Sequence, residues 1–147
     1  MRPLILFLSV VTIMASALAA PHAVVRAEVA TRDAAADFLA GTQVGQGTWY
    51  NPGLGSCGIT NTDTDYIAAV SHILYDSYPG YSGVNPNGNP VCGRKIAATY
   101  QGKSVTITAT DRCEACAETD LDFSPAAFSQ LADISVGRLD HVSWHWA

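Results

Sequence analysis

The 147-residue chain is poor in charge: Asp, Glu, Lys and Arg make up only 14% of it. Basic residues are the scarcer sign, 8 Lys and Arg against 13 Asp and Glu, for a formal charge of −5. Such a surface repels phosphate backbones and anionic headgroups, so neither nucleic acid nor a membrane surface is expected as a partner. An uncharged or cationic partner fits better. Long apolar runs are also missing, the one of note being Leu4 to Ile13, which is too short to cross a bilayer as a helix. There is no N-x-Ser/Thr sequon, so N-glycosylation is not expected. Internal repeats and low-complexity tracts are absent as well, which leaves one domain as the economical reading.

The apolar run follows Met1, Arg2 and Pro3 and leads into small residues, with Ala17 and Ala19 at the −3 and −1 positions of an A-x-A site. Residues 1–19 therefore read as a secretory signal peptide, with cleavage after Ala20 as the alternative, and the protein is expected to be secreted. Loss of Arg2 with that segment takes the formal charge from −5 to −6. Residues 20–40 are rich in Ala and Val, carry no turn chemistry and read as a propeptide or flexible N-terminal arm. A short amphipathic helix over Arg32 to Leu39 would be marginal alone. Past Gly41 the texture changes to short β-branched and aromatic runs separated by Gly, Pro and Asn clusters, the pattern of a small β domain over residues 41–147.

The four cysteines are Cys57, Cys92, Cys113 and Cys116, an even count that suits two disulfides in an exported chain. Three pairings are formally possible. The expected one joins Cys57 to Cys92 and Cys113 to Cys116. A zinc site would need a second close ligand pair, which Cys57 and Cys92 do not supply, so no metal is expected, and no cofactor.

Strands are expected over Gln43 to Tyr50, Tyr66 to Val70, Lys95 to Tyr100, Lys103 to Ala109 and Leu139 to Trp146. Gln101-Gly102 joins two of them as a hairpin, and Val105, Ile107 and Ala109 alternate with polar neighbours to face a core. One helix is marked in "DFSPAAFSQLAD": Ser124 caps it, Pro125 occupies its first position, and Ala127, Phe128 and Leu131 share a face. Asp122 lies just before that helix, and Asp111 just after the hairpin. Trp49 and Tyr50 point to opposite sides of the first strand, one to the core and one outward. Trp144 and Trp146 share a face, with at least one in the core. The long loop from Tyr75 to Val91 carries Tyr75, Tyr78 and Tyr81, whose rings are candidates for stacking on sugars, with loop packing as the alternative. For His72, packing is favoured over lining a groove.

The motifs "GTWY" at Gly47 to Tyr50, "SCG" at Ser56 to Gly58, "CG" at Cys92-Gly93, "TD" at Thr110-Asp111 and "LDFSPAAFSQLA" at Leu121 to Ala132 stand in the order seen in the first domain of plant expansins. The single-domain format resembles most the fungal expansin-like proteins called loosenins. That resemblance covers nearly all of residues 41–147. It implies a mainly β fold: a six-stranded double-psi β-barrel with one or two short helices and two disulfides, shared with rare lipoprotein A, barwin and glycoside hydrolase family 45. It also supports the Cys57–Cys92 pairing. Carried over residue by residue, it puts Thr48, Tyr50, Asp111 and Asp122 along a polysaccharide-binding groove. The chain departs from the expansin corner motif, where Asp120 stands two residues before Asp122 in place of a histidine. It departs from the family 45 hydrolases at Asn51, where those enzymes carry a base carboxylate.

Inverting hydrolysis needs an acid and a base carboxylate facing one another across the bond. Asp122 can hold and donate a proton, but Asn51 cannot accept one near neutral pH. Asp63 or Asp65 in the "NTDTD" loop could substitute, although such a D-x-D is more often solvated. Like charge from Asp111 and partial burial raise the proton affinity of Asp122, while a helix dipole opposes the rise. The expected function is a monomeric, secreted, expansin-like protein that binds and loosens wall polysaccharide, cellulose or chitin, without net hydrolysis. Asp122 is then the expected acid, with Asp111, Thr48, Tyr50, Asn51 and the loop tyrosines around the glycan. Two alternatives stand beside it: a lytic transglycosylase or weak endoglucanase of the same barrel, and a secreted cysteine-protease inhibitor.

Overall fold

A computed structural model describes residues 39–147. The expected signal peptide and nearly all of the expected arm lie outside the described residues. Six strands form a closed barrel: β1 (Gln43–Trp49), β2 (Ile67–Ser71), β3 (Lys95–Tyr100), β4 (Lys103–Cys113), β5 (Leu121–Phe123) and β6 (Arg138–Trp146). Two short helices accompany them, α1 (His72–Asp76) and α2 (Pro125–Leu131). Around the barrel the order is β1-β5-β2-β4-β3-β6, with β6 closing back onto β1. Two neighbouring pairs, β1 with β5 and β2 with β4, run parallel, and the other four are antiparallel.

The five strands expected from sequence form within a few residues of their expected bounds. The sixth strand and second helix that the resemblance implies are β5 and α1, whose positions no local pattern marks. The β3–β4 hairpin turns on Gln101 and Gly102, both at positive φ (48° and 81°), the conformation that lets a two-residue turn match the strand twist. Alternation then buries Val105, Ile107 and Ala109 as expected, together with Ile96 and Ala98 on β3 and Leu139, Val142 and Trp144 on β6. Helix α2 starts as its sequence dictates: the Ser124 hydroxyl accepts from the Ala127 N–H at 3.3 Å, and Ala127, Phe128 and Leu131 are buried. Helix α1 is capped in the same way by Ser71, whose hydroxyl accepts from Leu74 N–H at 3.1 Å.

Two irregularities shape the barrel rim. On β4, Ala109 pairs with Ala68 and Asp111 with Ala69, so Thr110 is an extra residue bulged out of the ladder. Its side chain is buried (3% exposed), and Asp111 faces the opposite way. On β6, a shift opposite Gly45 and Gly47 is taken up by His141 at a φ of 63°.

Both disulfides form as expected, Cys57–Cys92 and Cys113–Cys116. The first fastens the loop between β1 and β2, where Gly55 rides so close to β4 that a Cβ on it would lie 2.5 Å from the Thr110 carbonyl oxygen and 3.2 Å from Asp111 Cβ. Tyr75 lies beneath this bridge, its hydroxyl donating to Pro86 O at 2.8 Å.

The bridges span very different lengths, 35 and 3 residues of separation. Chain entropy then gives about 4 kcal/mol for Cys57–Cys92 and about 2 for Cys113–Cys116. Replacing the first pair by Ala is expected to cost more in denaturant-monitored unfolding than replacing the second. At position 55, Gly55→Ala pushes against backbone and should cost roughly 1–3 kcal/mol, lowering Tm by several degrees. Gly53→Ala, with nothing within 4 Å of its Cβ, should change stability by no more than roughly 0.5 kcal/mol.

Candidate functional site

The strand register assembles the site. Thr48 on β1 is opposite Asp122 on β5, Asp122 is opposite Ala69 on β2, and Ala69 is opposite Asp111 on β4. Thr48 is also opposite Arg138 on β6. Five strands thus contribute one row, Arg138–Thr48–Asp122–Ala69–Asp111. Small residues, Thr48 and Ala69, separate the charged ones. Ala69 lies on the opposite side of β2 from the core residues Ala68 and Val70, yet is itself covered.

The two acids are held differently. Asp122 Oδ1 accepts from the Thr48 hydroxyl at 2.6 Å. Its carboxyl is half-buried, and that burial drives its proton affinity above the ordinary carboxylate value. The Thr48 hydrogen bond and the Arg138 charge favour the ionised form, and the Asp111 charge favours the protonated one. Burial prevails. Asp111 Oδ1 accepts from two backbone N–H groups, Ser56 at 2.7 Å and Arg112 at 2.8 Å, and its Oδ2 accepts from the Tyr50 hydroxyl at 3.2 Å. Burial and the neighbouring Asp111 push the Tyr50 hydroxyl far above its usual range, so it stays protonated as a donor. Thr48, Tyr50, Asp111 and Asp122, which the sequence singled out, are brought together.

A groove of roughly 340 Å³ runs past Asp122, between Thr48 and Trp49 on one side and Asp120 with the Cys113–Cys116 turn on the other. Trp49 packs against the core cluster and donates its indole N–H to Ile134 O at 3.1 Å, so Tyr50 is the outward member of the pair. Asn51 Nδ2 donates to Asp63 Oδ2 at 2.9 Å, which ties the amide to an exposed carboxylate. Asp65 is turned into its own loop, where the Thr62 N–H (2.7 Å) and hydroxyl (3.1 Å) hold it below the usual carboxylate range. It is not free to act as a base.

The loop tyrosines depart from the stacking role. Tyr75 and Tyr78 are buried, 1% and 6% exposed, and have no ring face for a sugar. The Tyr75 hydroxyl is spent under the Cys57–Cys92 bridge, and Tyr78 accepts from Arg94 and meets the edge of Trp146. Tyr81 is partly buried, edge-on to Tyr75 at 5.7 Å between ring centroids. Loop packing prevails here because the apolar underside of a long loop must be covered. Trp144 is core, as one of the last two tryptophans had to be, and Trp146 lies beneath the Arg94 guanidinium at 4.2 Å. His72 is half-buried, with Nδ1 enclosed and without a partner.

Three groove residues were missed. Asp120 accepts from Gln46 N–H at 2.7 Å and from Ala117 N–H at 3.0 Å, so it fastens the turn before β5 to β1. The D-x-D spacing of Asp120 and Asp122, two apart on one strand face, could have flagged it. Gln46 and Arg138 carry no local signal, because only the β1–β6 pairing brings them to the groove. The other arginine near the site, Arg112, turns away to pair with Asp76 (2.6 Å) and Glu114. Among the described residues no group of His, Cys, Asp and Glu could hold a metal ion, and no helix is long and apolar enough to cross a membrane.

Comparison with known proteins agrees with this architecture. Allergen Asp f 7 of Aspergillus fumigatus is 34% identical over 110 residues, covering 70% of this chain. The chain spans only 36% of that relative's length. A papain inhibitor of Streptomyces mobaraensis is 29% identical, with 79% of this chain and 80% of the inhibitor covered. The solved structure of a Streptomyces papain inhibitor matches with a TM-score of 0.65 at 26% identity, over 74% of this chain and 96% of that one. A Clavibacter michiganensis expansin, solved as a mutant in complex with cellohexaose, matches with a TM-score of 0.57 at 26% identity, over 73% of this chain and 50% of that one. The family model described as lytic transglycolase matches residues 42–143, nearly the whole barrel, and the chain belongs to that double-psi β-barrel family.

Proposed function

We propose that this is a secreted, loosenin-type expansin-like protein that binds wall polysaccharide, cellulose or chitin, and loosens its network without net hydrolysis. One observation carries the reading: the groove holds Asp122, a half-buried carboxyl bonded by the Thr48 hydroxyl and raised in proton affinity by burial, while an amide stands at position 51. A protonated Asp122 can donate to a sugar hydroxyl or a glycosidic oxygen, and Tyr50 and Thr48 offer further hydroxyls beside it. The amide at position 51, where family 45 hydrolases carry the base carboxylate, argues for binding over inverting hydrolysis. The expansin solved with cellohexaose supports a glucan as the ligand class. A lytic transglycosylase needs only one acid/base, so release of cleaved glycan is the outcome that would make this an enzyme.

A second reading, inhibition of a cysteine protease, is favoured by the papain inhibitor's likeness over most of both chains. The two part at Asp122, which the polysaccharide reading requires and the inhibitor reading does not.

Pull-down on cellulose, chitin and peptidoglycan with a reducing-sugar assay tests the first reading. Wild type should be retained on cellulose or chitin and release no sugar. Asp122→Asn should weaken retention by roughly tenfold, the loss of about one hydrogen bond made by an ionisable group. Papain inhibition that survives Asp122→Asn, with no glycan retention by the wild type, would establish the second reading instead.

Stability should report the Asp122 proton independently. Its folded-state value lies above the ordinary 3.8, so the folded state binds this proton more tightly than the unfolded chain. That contribution is complete below the ordinary value and is lost as pH rises through the folded one. The Tm of wild type relative to Asp122→Asn should therefore fall as pH rises from the ordinary carboxylate value through the higher folded-state one, because the amide has no proton to lose. A flat difference across that range would rule out the raised proton affinity.

A further inference from the structure

Asp122 stands at the centre of a row whose two ends carry opposite charge. Asp111 is reached across Ala69, and Arg138 across Thr48. With neighbouring strands about 4.8 Å apart, each backbone lies about two strand spacings from Asp122. The two flanking charges are not held alike. Asp111 is fixed by three donors, two backbone N–H groups and the Tyr50 hydroxyl, none of them cationic. Arg138 forms no ion pair among the described residues, whereas Arg112 is committed to Asp76 and Glu114.

What holds Arg138 is an amide. Its Nη1 donates to Gln46 Oε1 at 2.5 Å, and Gln46 Nε2 donates in turn to Asp140 Oδ1 at 2.8 Å. The Gln46 backbone is itself tied to Asp120 through its N–H. Gln46 therefore stands between the guanidinium and the Asp140 carboxylate. It steadies Arg138 without neutralising it, and the charge stays available to the groove that Arg138 lines with Asp122.

We propose that Arg138, braced by Gln46 and Asp140, is a positioning residue that governs when Asp122 gives up its proton, and so sets the pH range over which the groove works. The glycan-binding reading enters only in what that proton is used for. Burial favours the protonated carboxyl, and Arg138 acts against it. Thr48 opposes it as well, through its hydrogen bond, and the remaining groups around Asp122 carry no positive charge. From β1 come Thr48 and, just beyond the strand, Tyr50, which remains protonated. From β2 comes Ala69, from β4 the anionic Asp111, and from the turn before β5 Asp120, engaged by two backbone N–H groups. The Cys113–Cys116 turn contributes only a disulfide and Ala115 to the groove. Arg138 is the one cationic side chain among the groove's lining residues.

The test follows the Asp122 carboxyl by carbon NMR through a pH titration of the full chain, for wild type, Arg138→Gln, Arg138→Lys and Gln46→Ala. Retention on cellulose and chitin is measured across the same pH range. Arg138→Gln should move the Asp122 midpoint upward, Arg138→Lys should keep it near wild type, and Gln46→Ala should move it partway as the guanidinium swings to Asp140. Added salt should shrink these differences, because Arg138 is exposed. The retention profile should shift in the same direction as the midpoint. An unmoved midpoint in Arg138→Gln, or an equal shift in Arg138→Lys, would overturn the proposal. Failure of the wild type to be retained on either glycan would sink the functional reading, while the midpoints would still decide the role of Arg138.

Discussion

Strand β5 is three residues long and is paired along both edges, parallel to β1 and antiparallel to β2. The rest of the site depends on that double pairing. Leu121 and Phe123 point into the core and are almost fully buried, which leaves Asp122 no direction except outward. Two flanking ladders fix its height relative to Thr48 and Ala69, and through Ala69 relative to Asp111. A carboxyl anchored so firmly is partly desolvated without being free to move toward water. Its proton affinity is a property of the barrel as much as of the residue.

The supports around this strand reinforce one another. The bulge at Thr110 brings Asp111 into register with Ala69 and so into the row with Asp122, the Gly55 loop closes over it, and the Cys57–Cys92 bridge fastens that loop. On the other flank Asp120 ties the turn before β5 to β1, and Thr119 is joined to the core through Trp144, whose indole N–H donates to its carbonyl at 2.7 Å. Asp111 and Asp120 are consequently held by backbone donors and Asp122 by the Thr48 hydroxyl, with little side-chain freedom left to any of them.

Much of this was legible in the chain. The Gln101-Gly102 turn, the alternation of Val105, Ile107 and Ala109, and the Ser124-Pro125 start of α2 are local signals, and local signals survive folding. Asp111 and Asp122 were found through ordered motifs. Strand β5 was not, because three residues are too few to show a period, and its sequence looks like a corner when its two partners are out of sight. Tyr75 and Tyr78 stand in a long loop, which leaves sugar stacking and loop packing equally open in sequence, whereas in space they fill the underside of that loop. Arg138 was invisible for a different reason: its place beside Asp122 arises only from the register of β6 on β1.

Ala69 carries no chemistry, yet it determines how the two acids communicate. A bulkier residue there would insert itself between Asp111 and Asp122 and screen one from the other. The barrel therefore keeps its working distance in a methyl group. The spacing of Asp122 from Asp111 is thus as much a property of Ala69 as of the acids themselves.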